Sequence, residues 1–273
     1  MRFDIVTIFP DFFVGPFQFG VVPRAFREGL AEAHTHDLRT FTHDRHRTVD
    51  DRPFGGGEGM VLKPEPIFDC VESLEIAPKP GRDTARQSVI LLSAQGKCFT
   101  QATARRLATL DRIVLICGRY EGVDERVSQL LCDEELSIGD YVLSGGELAA
   151  AVIVDSVVRL LPGVLGHADS SRYESFGEGD TASGAMESSS QDPPRATHAS
   201  GGLLDYPHYT RPADFRGVSI PEVLAEGDHA AVRRWRRQAA LAKTAANRPD
   251  LLVNADLSDD DREFLAGLSP SET

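Results

Sequence analysis

Val-Leu-Ile-Cys-Gly-Arg-Tyr-Glu-Gly, at residues 114–122, runs from an apolar strand into a glycine-bearing turn. Residues 137–148 repeat this pattern as Ser-Ile-Gly-Asp-Tyr-Val-Leu-Ser-Gly-Gly-Glu-Leu. Glycine lets the backbone approach a ligand closely, and ligands of open α/β sheets bind at the carboxyl ends of the strands. The two turns therefore form one small-molecule site or serve as plain connections, and their spacing alone favours neither interpretation.

Short apolar runs alternate with helical patterns through the first 165 residues. The pattern predicts strands at residues 5–9, 38–41, 89–93, 113–117 and 135–138, and helices at residues 21–30, 64–74, 101–110, 123–131 and 146–161. Thr100 is a candidate N-cap for the third helix. Strands that alternate with helices predict an α/β fold whose mostly parallel sheet is covered on both faces.

The composition changes beyond the main domain. Residues 177–202 are rich in Gly, Ser and Ala and contain no aromatic side chain, which predicts a flexible linker. Helical patterns return at residues 221–226 and 230–246, and Arg248-Pro249 is expected to end the second helix. We therefore expect a main domain at residues 1–165, an interdomain linker at 166–202, and a small helical domain with an acidic tail at 203–273.

Several classes of protein are disfavoured by the sequence. The N-terminus carries an acid inside a short apolar run and lacks the apolar core of a signal peptide. The apolar stretch at residues 148–161 is interrupted by Asp155 and Arg159 and is too short to span a bilayer. The four cysteines lack the paired short spacing of a zinc site and suggest no disulfide framework. We expect a cytoplasmic protein with no membrane partner.

The charge distribution is uneven. The formal net charge of -13 by itself argues against a nucleic-acid partner. However, basic residues cluster at residues 45–52, at 105–106 and above all at 233–237, where four arginines surround a tryptophan. Such clusters either bind phosphate or form a solvated helix face. Composition alone leaves both interpretations open.

A polar loop at residues 41–60 ends in a glycine-rich segment, Gly-Gly-Gly-Glu-Gly-Met. It lacks the Gly-Lys-Ser/Thr ending of a nucleoside-triphosphate P-loop, and it does not lead from a strand into a helix with Rossmann spacing. A nucleotide hydrolase is therefore disfavoured. His43 and His46 suggest metal ligation only weakly, because no third soft ligand has a fitting spacing.

Five segments together resemble the bacterial tRNA (guanine-N1)-methyltransferases. They are residues 41–60, 117–126, 137–148, Pro-Gly-Val-Leu-Gly at 162–166 and Pro-His-Tyr-Thr-Arg-Pro at 207–212. The similarity spans nearly the whole chain apart from the linker and the tail. It implies a SPOUT fold with a C-terminal trefoil knot in the methyltransferase domain, a homodimer with active sites at its interface, and methylation of guanosine 37 in a tRNA that has guanosine at position 36.

The resemblance also implies a cofactor, S-adenosyl-L-methionine, bound in the knot loops; Mg²⁺ is a further cofactor candidate. No metal ligands are assigned by the sequence. The cofactor-binding residues that correspond to the family's loops are Leu91, Leu92, Ser93, Gly118, Tyr120, Glu121, Ile138, Gly139, Asp140, Tyr141, Val142, Leu143, Gly145 and Gly146.

Two catalytic roles follow from the resemblance. Arg159 matches the arginine that stabilises negative charge on guanine O6, and Glu174 takes the position of the family's general base, where an aspartate is usual. Asp169 is the second-choice base. Family members usually reach the Gly-Leu-Leu segment within a few residues, whereas 26 residues separate Phe176 from Leu203 here. A catalytically weakened or inactive tRNA-binding homologue is therefore the alternative function.

Contacts with the tRNA are expected in two regions. The family places the polar loop near the target guanine, where Arg45, His46 and Asp50 are the candidates. Its C-terminal domain grips the anticodon stem, for which the arginine cluster is suited because arginine contacts phosphate without sequence preference. The arginines are Arg233, Arg234, Arg236 and Arg237.

Overall fold

The computed structural model describes residues 1–166, 174–177 and 201–268. The chain divides into two compact units, Met1–Gly166 and His167–Thr273. None of the helices in the described ranges combines the length and the apolar character needed to cross a bilayer.

The first unit is built on a five-stranded parallel sheet. The described strands of this unit are β1 (Arg2–Thr7), β2 (Glu32–Asp37), β3 (Asp50–Asp51), β4 (Val61–Leu62), β5 (Gln87–Cys98), β6 (Arg112–Cys117) and β7 (Glu134–Ser137). The sheet has the order β2-β1-β6-β5-β7, and β3 and β4 pair separately as a short antiparallel ribbon. The predicted α/β fold with a mostly parallel sheet is confirmed.

Helices cover both faces of this sheet. They are α1 (Val22–Arg27), α2 (Pro64–Ser73), α3 (Gln101–Ala108), α4 (Glu125–Leu130) and α5 (Glu147–Val158). Neighbouring residues of β6 belong to different hydrophobic cores. Leu115 packs with α1, α3 and α5, whereas Ile116 packs with α2 and α4. Because side chains alternate along a strand, a sheet buried on both faces needs an uninterrupted apolar run. This explains why β6 was recognisable from the sequence.

Two predicted strands need correction. Residues 38–41 form a 3₁₀ turn instead of a strand, and the strand lies just before them at β2. β2 is an edge strand with half-exposed and exposed positions, so its sequence, Glu-Ala-His-Thr-His-Asp, carries no apolar run. The buried Leu38 produced the wrong assignment. The strand predicted at residues 89–93 extends over all of Gln87–Cys98.

The structure confirms the predicted N-cap of α3 and the predicted end of the long helix in the second unit. The Thr100 hydroxyl accepts a hydrogen bond from Thr103 N at 3.3 Å and so caps α3, as predicted. In the second unit, helix α6 (His229–Asn247) ends immediately before Arg248-Pro249. The helix predicted at residues 221–226 is only a short 3₁₀ turn, Glu222–Leu224.

The second unit contains one helix that the sequence analysis missed. Part of the expected acidic tail forms α7 (Asp259–Gly267), which begins with a capping box between Ser258 and Asp261. The Asp261 carboxylate also accepts hydrogen bonds from Arg237 at 3.1 and 2.8 Å. A short antiparallel ribbon, β8 (Asp214–Phe215) with β9 (Val218–Ser219), completes the described elements.

A buried carboxylate links three neighbouring strands, β1, β2 and β6. Asp4 on β1 is fully buried and accepts hydrogen bonds from Arg2 at 2.9 Å and Arg112 at 2.7 Å, while His36 Nε2 lies 2.8 Å from it. Burial alone raises the pKa of the Asp4 carboxyl, but hydrogen bonds from His36, Arg2 and Arg112 outweigh it and leave the pKa well below its usual range. Asp4 is therefore ionised in the folded protein at neutral pH.

Replacing Asp4 by asparagine is expected to destabilise the protein by about 3 kcal/mol at pH 7, because two arginines lose their buried counter-charge. The folded-state pKa is depressed, so the carboxylate stabilises the fold above its unfolded pKa of about 3.9 and loses this effect as pH falls through the folded value. Urea unfolding at pH 7 and pH 3 should show a smaller difference between wild type and Asp4→Asn at the lower pH. An unchanged difference would contradict this assignment.

Candidate functional site

A cavity of about 270 Å³ lies beside the middle of β5 and the carboxyl ends of β6 and β7. Its walls come from three segments: residues 91–95 of β5, residues 118–123 after β6, and residues 135–146 at and after β7. The three strands follow one another in the chain, but β5 lies between β6 and β7 in the sheet. Sheet order therefore brings the two glycine turns of the sequence into one site.

The first wall is an irregular part of β5. Leu92 and Lys97 both pair with Leu136 of β7, so the residues between them leave the regular ladder. Gly96 is required at this point, since a Cβ there would lie 2.5 Å from the backbone N of Leu136. The extra residues include Ala94 and Gln95, which line the cavity and were not predicted as site residues.

The second wall is the turn after β6. Tyr120 has a φ of 59° and Gly122 a φ of 136°, which gives a sharp reversal of the chain. The segment around β4 is hydrogen-bonded to this turn through the backbone. Glu121 N donates to Met60 O at 3.0 Å, and Leu62 N donates to Gly122 O at 3.0 Å. The glycine-rich loop that precedes β4 is thus connected to the cavity wall.

The third wall is the long turn after β7. Gly139 has a φ of 152°, and the Ser137 hydroxyl donates to its carbonyl oxygen at 2.9 Å. Further along, Gly146 N donates to Gly118 O at 2.9 Å, and Gly145 forms an isolated β-bridge with Arg119. The second and third walls are therefore joined through their backbones.

Side chains reinforce this junction. Glu147, the first residue of α5, is 2% exposed. One carboxylate oxygen accepts a hydrogen bond from Thr7 at 2.8 Å and the other from Arg119 at 3.2 Å. The Arg119 guanidinium also lies 4.5 Å from the ring centre of Phe9. The network ties the end of β1 to both glycine turns, and neither Thr7 nor Glu147 was identified from the sequence.

The cavity collects most of the predicted cofactor-binding residues. Twelve of the fourteen line it: Leu91, Leu92, Ser93, Gly118, Tyr120, Glu121, Ile138, Tyr141, Val142, Leu143, Gly145 and Gly146. Gly139 and Asp140 belong to the same turn but do not line the cavity. Additional lining residues without a sequence signal include Glu125, Ser128 and Glu135.

The two predicted catalytic residues lie in different units. Arg159 is the C-cap of α5 in the first unit. Glu174 belongs to the second unit, where Gly177 N donates to its carbonyl oxygen at 3.0 Å. Phe176 N donates to Leu203 O at 2.9 Å, so the two ends of the long insertion meet although 26 residues separate them. Asp169, the second-choice base, lies outside the described residues.

The candidate tRNA contacts in the polar loop are accessible to differing degrees. Arg45 and His46 are exposed, whereas Asp50 is half-buried at the start of β3. His43 Nε2 lies 3.0 Å from a carboxylate oxygen of Asp69. Within the ranges that the structure describes, no group of three or more His, Cys, Asp or Glu residues could hold a metal ion.

The four predicted tRNA-contacting arginines of α6 have different surroundings. Arg237 pairs with Asp261, and its Nη2 also donates to Asp256 O at 2.9 Å. The Arg236 guanidinium lies 4.8 Å from the ring centre of Tyr206. Arg233 and Arg234 lie near the Asp228 carboxylate that caps the helix.

Comparison with known proteins agrees with the sequence motifs over almost the full length. The family model described as tRNA (Guanine-1)-methyltransferase TrmD matches residues 1–254. A tRNA (guanine-N(1)-)-methyltransferase from Koribacter versatilis (strain Ellin345) is 60% identical over 98% of both chains. The enzyme of the same name from Heliobacterium modesticaldum is 48% identical over 97% of this chain and 90% of its own. That from Geobacter metallireducens is 48% identical over 98% of both.

Proposed function

Because the chain belongs to the tRNA (guanine-1)-methyltransferase family, we propose that it transfers a methyl group from S-adenosyl-L-methionine to N1 of guanosine 37 in a tRNA with guanosine at position 36. The observation that carries this proposal is the family match over residues 1–254. The cavity adds independent support, since the family's motif segments at residues 117–126 and 137–148 supply two of its three walls.

The glycines of the cavity wall support the proposed cofactor site. A Cβ on Gly146 would lie 2.7 Å from Cys117 Cα, and one on Gly145 would meet the side chains of Arg119 and Glu147. The neighbours of Gly146 are backbone atoms, so only glycine at that position keeps this wall as it is, which is typical of a turn that holds a ligand against backbone. Leu91, Leu143 and other apolar lining side chains offer the surface on which an adenine packs.

The charge of the cavity lining also suits the proposed cofactor. Glu121, Glu125 and Glu135 all line it, and the Glu135 carboxylate accepts a hydrogen bond from the Ser128 hydroxyl. Carboxylates favour a cationic ligand, and S-adenosyl-L-methionine, when bound, would supply a methyl group on a positively charged sulfur. Backbone groups of residues 118 and 145–146 would orient it.

In the proposed reaction, the protein removes a proton and stabilises charge. Guanine N1 is protonated at neutral pH, so a base would take this proton as the nitrogen forms its bond to the methyl carbon. The carbon–sulfur bond of the donor would break in the same step, and a neutral thioether would leave. Glu174 is the proposed base and Asp169 remains the second choice. Negative charge then develops toward guanine O6, where the permanently charged guanidinium of Arg159 would stabilise it.

We propose that the tRNA is bound through the polar loop and α6. Arg45, His46 and Asp50 would lie near the target guanine, and Arg233 with Arg234 would contact phosphates. Mg²⁺ remains a proposed addition from the family resemblance. Its role is testable by comparing methyl transfer with and without a chelator.

A SPOUT fold with a trefoil knot is proposed on a topological observation. β7 is an edge strand beside β5, and β6 lies on the other side of β5. Nevertheless the chain that leaves β7 reaches the turn after β6, where Gly146 N bonds Gly118 O. The loops after β6 and β7 therefore meet although β5 lies between their strands, and this contact supports the proposed knot.

A homodimer is proposed from an apolar surface on the first unit. Leu148 and Val152, one turn apart on α5, are 50% and 43% exposed. Val14 is 56% exposed and ends a 3₁₀ turn, Pro10–Val14, that contacts α5. Apolar side chains three or four apart on a helix share one face. A second copy of the chain would cover this surface.

The double substitution Leu148→Glu and Val152→Glu is expected to convert a dimer into monomers, because burying two carboxylates in an apolar interface is costly. Sedimentation velocity of the wild type and the variant measures this directly. Leu130→Glu is the matched control, since Leu130 is 60% exposed on α4, away from α5, and should leave the dimer intact. A monomeric wild type would contradict the proposal.

The proposed function is tested by transfer of labelled methyl from S-adenosyl-L-methionine to an unmodified tRNA transcript. We expect transfer to a transcript with guanosine at positions 36 and 37, and none when position 37 is adenosine. Binding of both ligands without transfer by the wild type would instead favour the weakened or inactive tRNA-binding homologue. Nothing in the described contacts favours that alternative.

A further inference from the structure

The second unit contains its own cavity, of about 360 Å³, between residues 206–213 and α6. We call it the aromatic cavity because Tyr206, His208, Tyr209 and Trp235 are among its lining residues. Its volume falls in the range of about 300–1,000 Å³ that is usual for small-molecule sites. The whole lining comes from the second unit, so the cavity is complete without the first.

The rings in the aromatic cavity form two groups. The ring centres of Tyr206 and His208 are 4.7 Å apart, and those of Tyr209 and Trp235 are 6.2 Å apart at an angle of 54°. Tyr209 remains 49% exposed, which is unusual for a ring that serves only to fill a core. Flat, partly exposed rings of this kind are surfaces on which unpaired nucleobases stack.

Arg236 adds a third flat surface. Its guanidinium lies 4.8 Å from the ring centre of Tyr206. Among the described residues, its buried Nε has no hydrogen-bond partner, although a buried donor normally has one. A nucleobase offers both a face for stacking and acceptor atoms for such a donor.

The charge of the aromatic cavity differs from that of the chain. The protein has a net charge of -13, yet the described lining includes Arg211, Arg236 and His208 and no acidic residue. The neighbouring Asp205 carboxylate is not part of the lining, and one of its oxygens lies 2.9 Å from His208 Nε2. Arginines beside aromatic rings match a base attached to a phosphate backbone.

We propose that the aromatic cavity binds one unpaired nucleobase of the RNA substrate by stacking on Tyr209 and Trp235, with the Arg236 guanidinium as a further stacking and donor group. This rests on the proposed function, because it takes tRNA as the substrate. It assigns Arg236 to a base, while the phosphate contacts are left to Arg233 and Arg234. Binding there would hold the RNA at a point other than the methylated guanine.

Trp235 is the only tryptophan in the chain, so its fluorescence reports directly on this cavity. Titration of the full-length protein with an unmodified tRNA transcript should quench the emission at least twofold at saturation. The same titration with transcripts that carry single abasic sites in unpaired regions should locate the base, since removing it should restore most of the emission. Saturating tRNA binding, followed separately by filter retention, with no change in emission would overturn the proposal.

Substitutions at Tyr209 and Arg236 distinguish the loss of base stacking from a loss of charge and from misfolding. Tyr209→Ala should weaken tRNA binding by roughly tenfold, in the range expected for one lost base stack, and should leave the salt dependence of binding unchanged. Tyr209→Phe keeps the ring and should bind like wild type. Arg236→Lys keeps the charge but loses the planar guanidinium and should also weaken binding.

The matched control is the other aromatic–arginine pair of the second unit. The Arg216 guanidinium lies 5.2 Å from the ring centre of Phe215, outside the aromatic cavity. Phe215→Ala and Arg216→Lys should leave binding within twofold of wild type, and equal losses at both pairs would contradict the proposal. Quenching without methyl transfer would overturn the proposed reaction alone, whereas transfer without quenching would overturn only this inference.

Discussion

Glu174→Gln is expected to lower the rate of methyl transfer by about 10²–10⁴-fold, because an amide cannot accept the N1 proton. The binding of S-adenosyl-L-methionine and of tRNA should change little, since the substitution keeps the size and hydrogen-bonding capacity of the side chain. Single-turnover transfer of labelled methyl measures the rate, and calorimetry measures cofactor binding. Glu174→Asp should retain most of the activity and, if faster than wild type, would show that glutamate positions its oxygen less well.

Two controls separate the role of Glu174 from a general loss of charge. Glu226 is an exposed glutamate of the second unit, and Glu226→Gln should have no effect on the rate. Asp169→Asn should reduce the rate less than Glu174→Gln does. If Glu174→Gln kept full activity and Asp169→Asn abolished it, Asp169 would be the base instead.

Gly146→Ala is expected to weaken cofactor binding by at least tenfold and to destabilise the protein by about 1–3 kcal/mol, the usual cost of overpacking. The new Cβ would lie 2.7 Å from Cys117 Cα and 3.1 Å from Gly118 N. Both are backbone atoms, so the two glycine turns would have to move apart and the hydrogen bond from Gly146 N to Gly118 O would be lost. Calorimetry and thermal unfolding measure the two effects.

Other glycines provide a graded comparison. Gly145→Ala would meet the side chains of Arg119 and Glu147, which are able to shift, and should have a smaller effect. Gly81→Ala should change neither quantity, because no atom lies within 4 Å of its added Cβ. Unchanged cofactor affinity in Gly146→Ala would contradict the placement of the cofactor against this wall.

The elements predicted best are those whose residues carry the signal themselves. β6 is buried on both faces, so its apolar run marks it in any context. Thr100 caps α3 through a bond to Thr103, only three positions away. By contrast, β2 is an edge strand with mostly polar residues, and it is a strand because β1 pairs with it. Helix α7 was missed because its acidic residues resemble a solvated tail, although its capping box is local.

The site residues likewise divide into those with a local sequence signal and those placed by distant partners. The two glycine turns were visible as motifs, and they supply most of the predicted cofactor-binding residues that line the cavity. Glu147 was not identified, because its partners Thr7 and Arg119 lie 140 and 28 positions away. The irregular segment of β5 also had no signal, since it exists only where Leu92 and Lys97 both pair with Leu136.

The α/β class and the chemistry available at each turn can be read from the amino-acid sequence, because apolar periodicity and glycine placement are local properties. The meeting of the turns after β6 and β7 depends on the fold, because β5 lies between these two strands in the sheet and the turns contact each other across it. Likewise, the sequence showed an arginine cluster around Trp235, and the fold decided which arginine lies on an aromatic ring and which pairs with an acid. Such contacts join distant parts of the chain, and a linear pattern does not encode them.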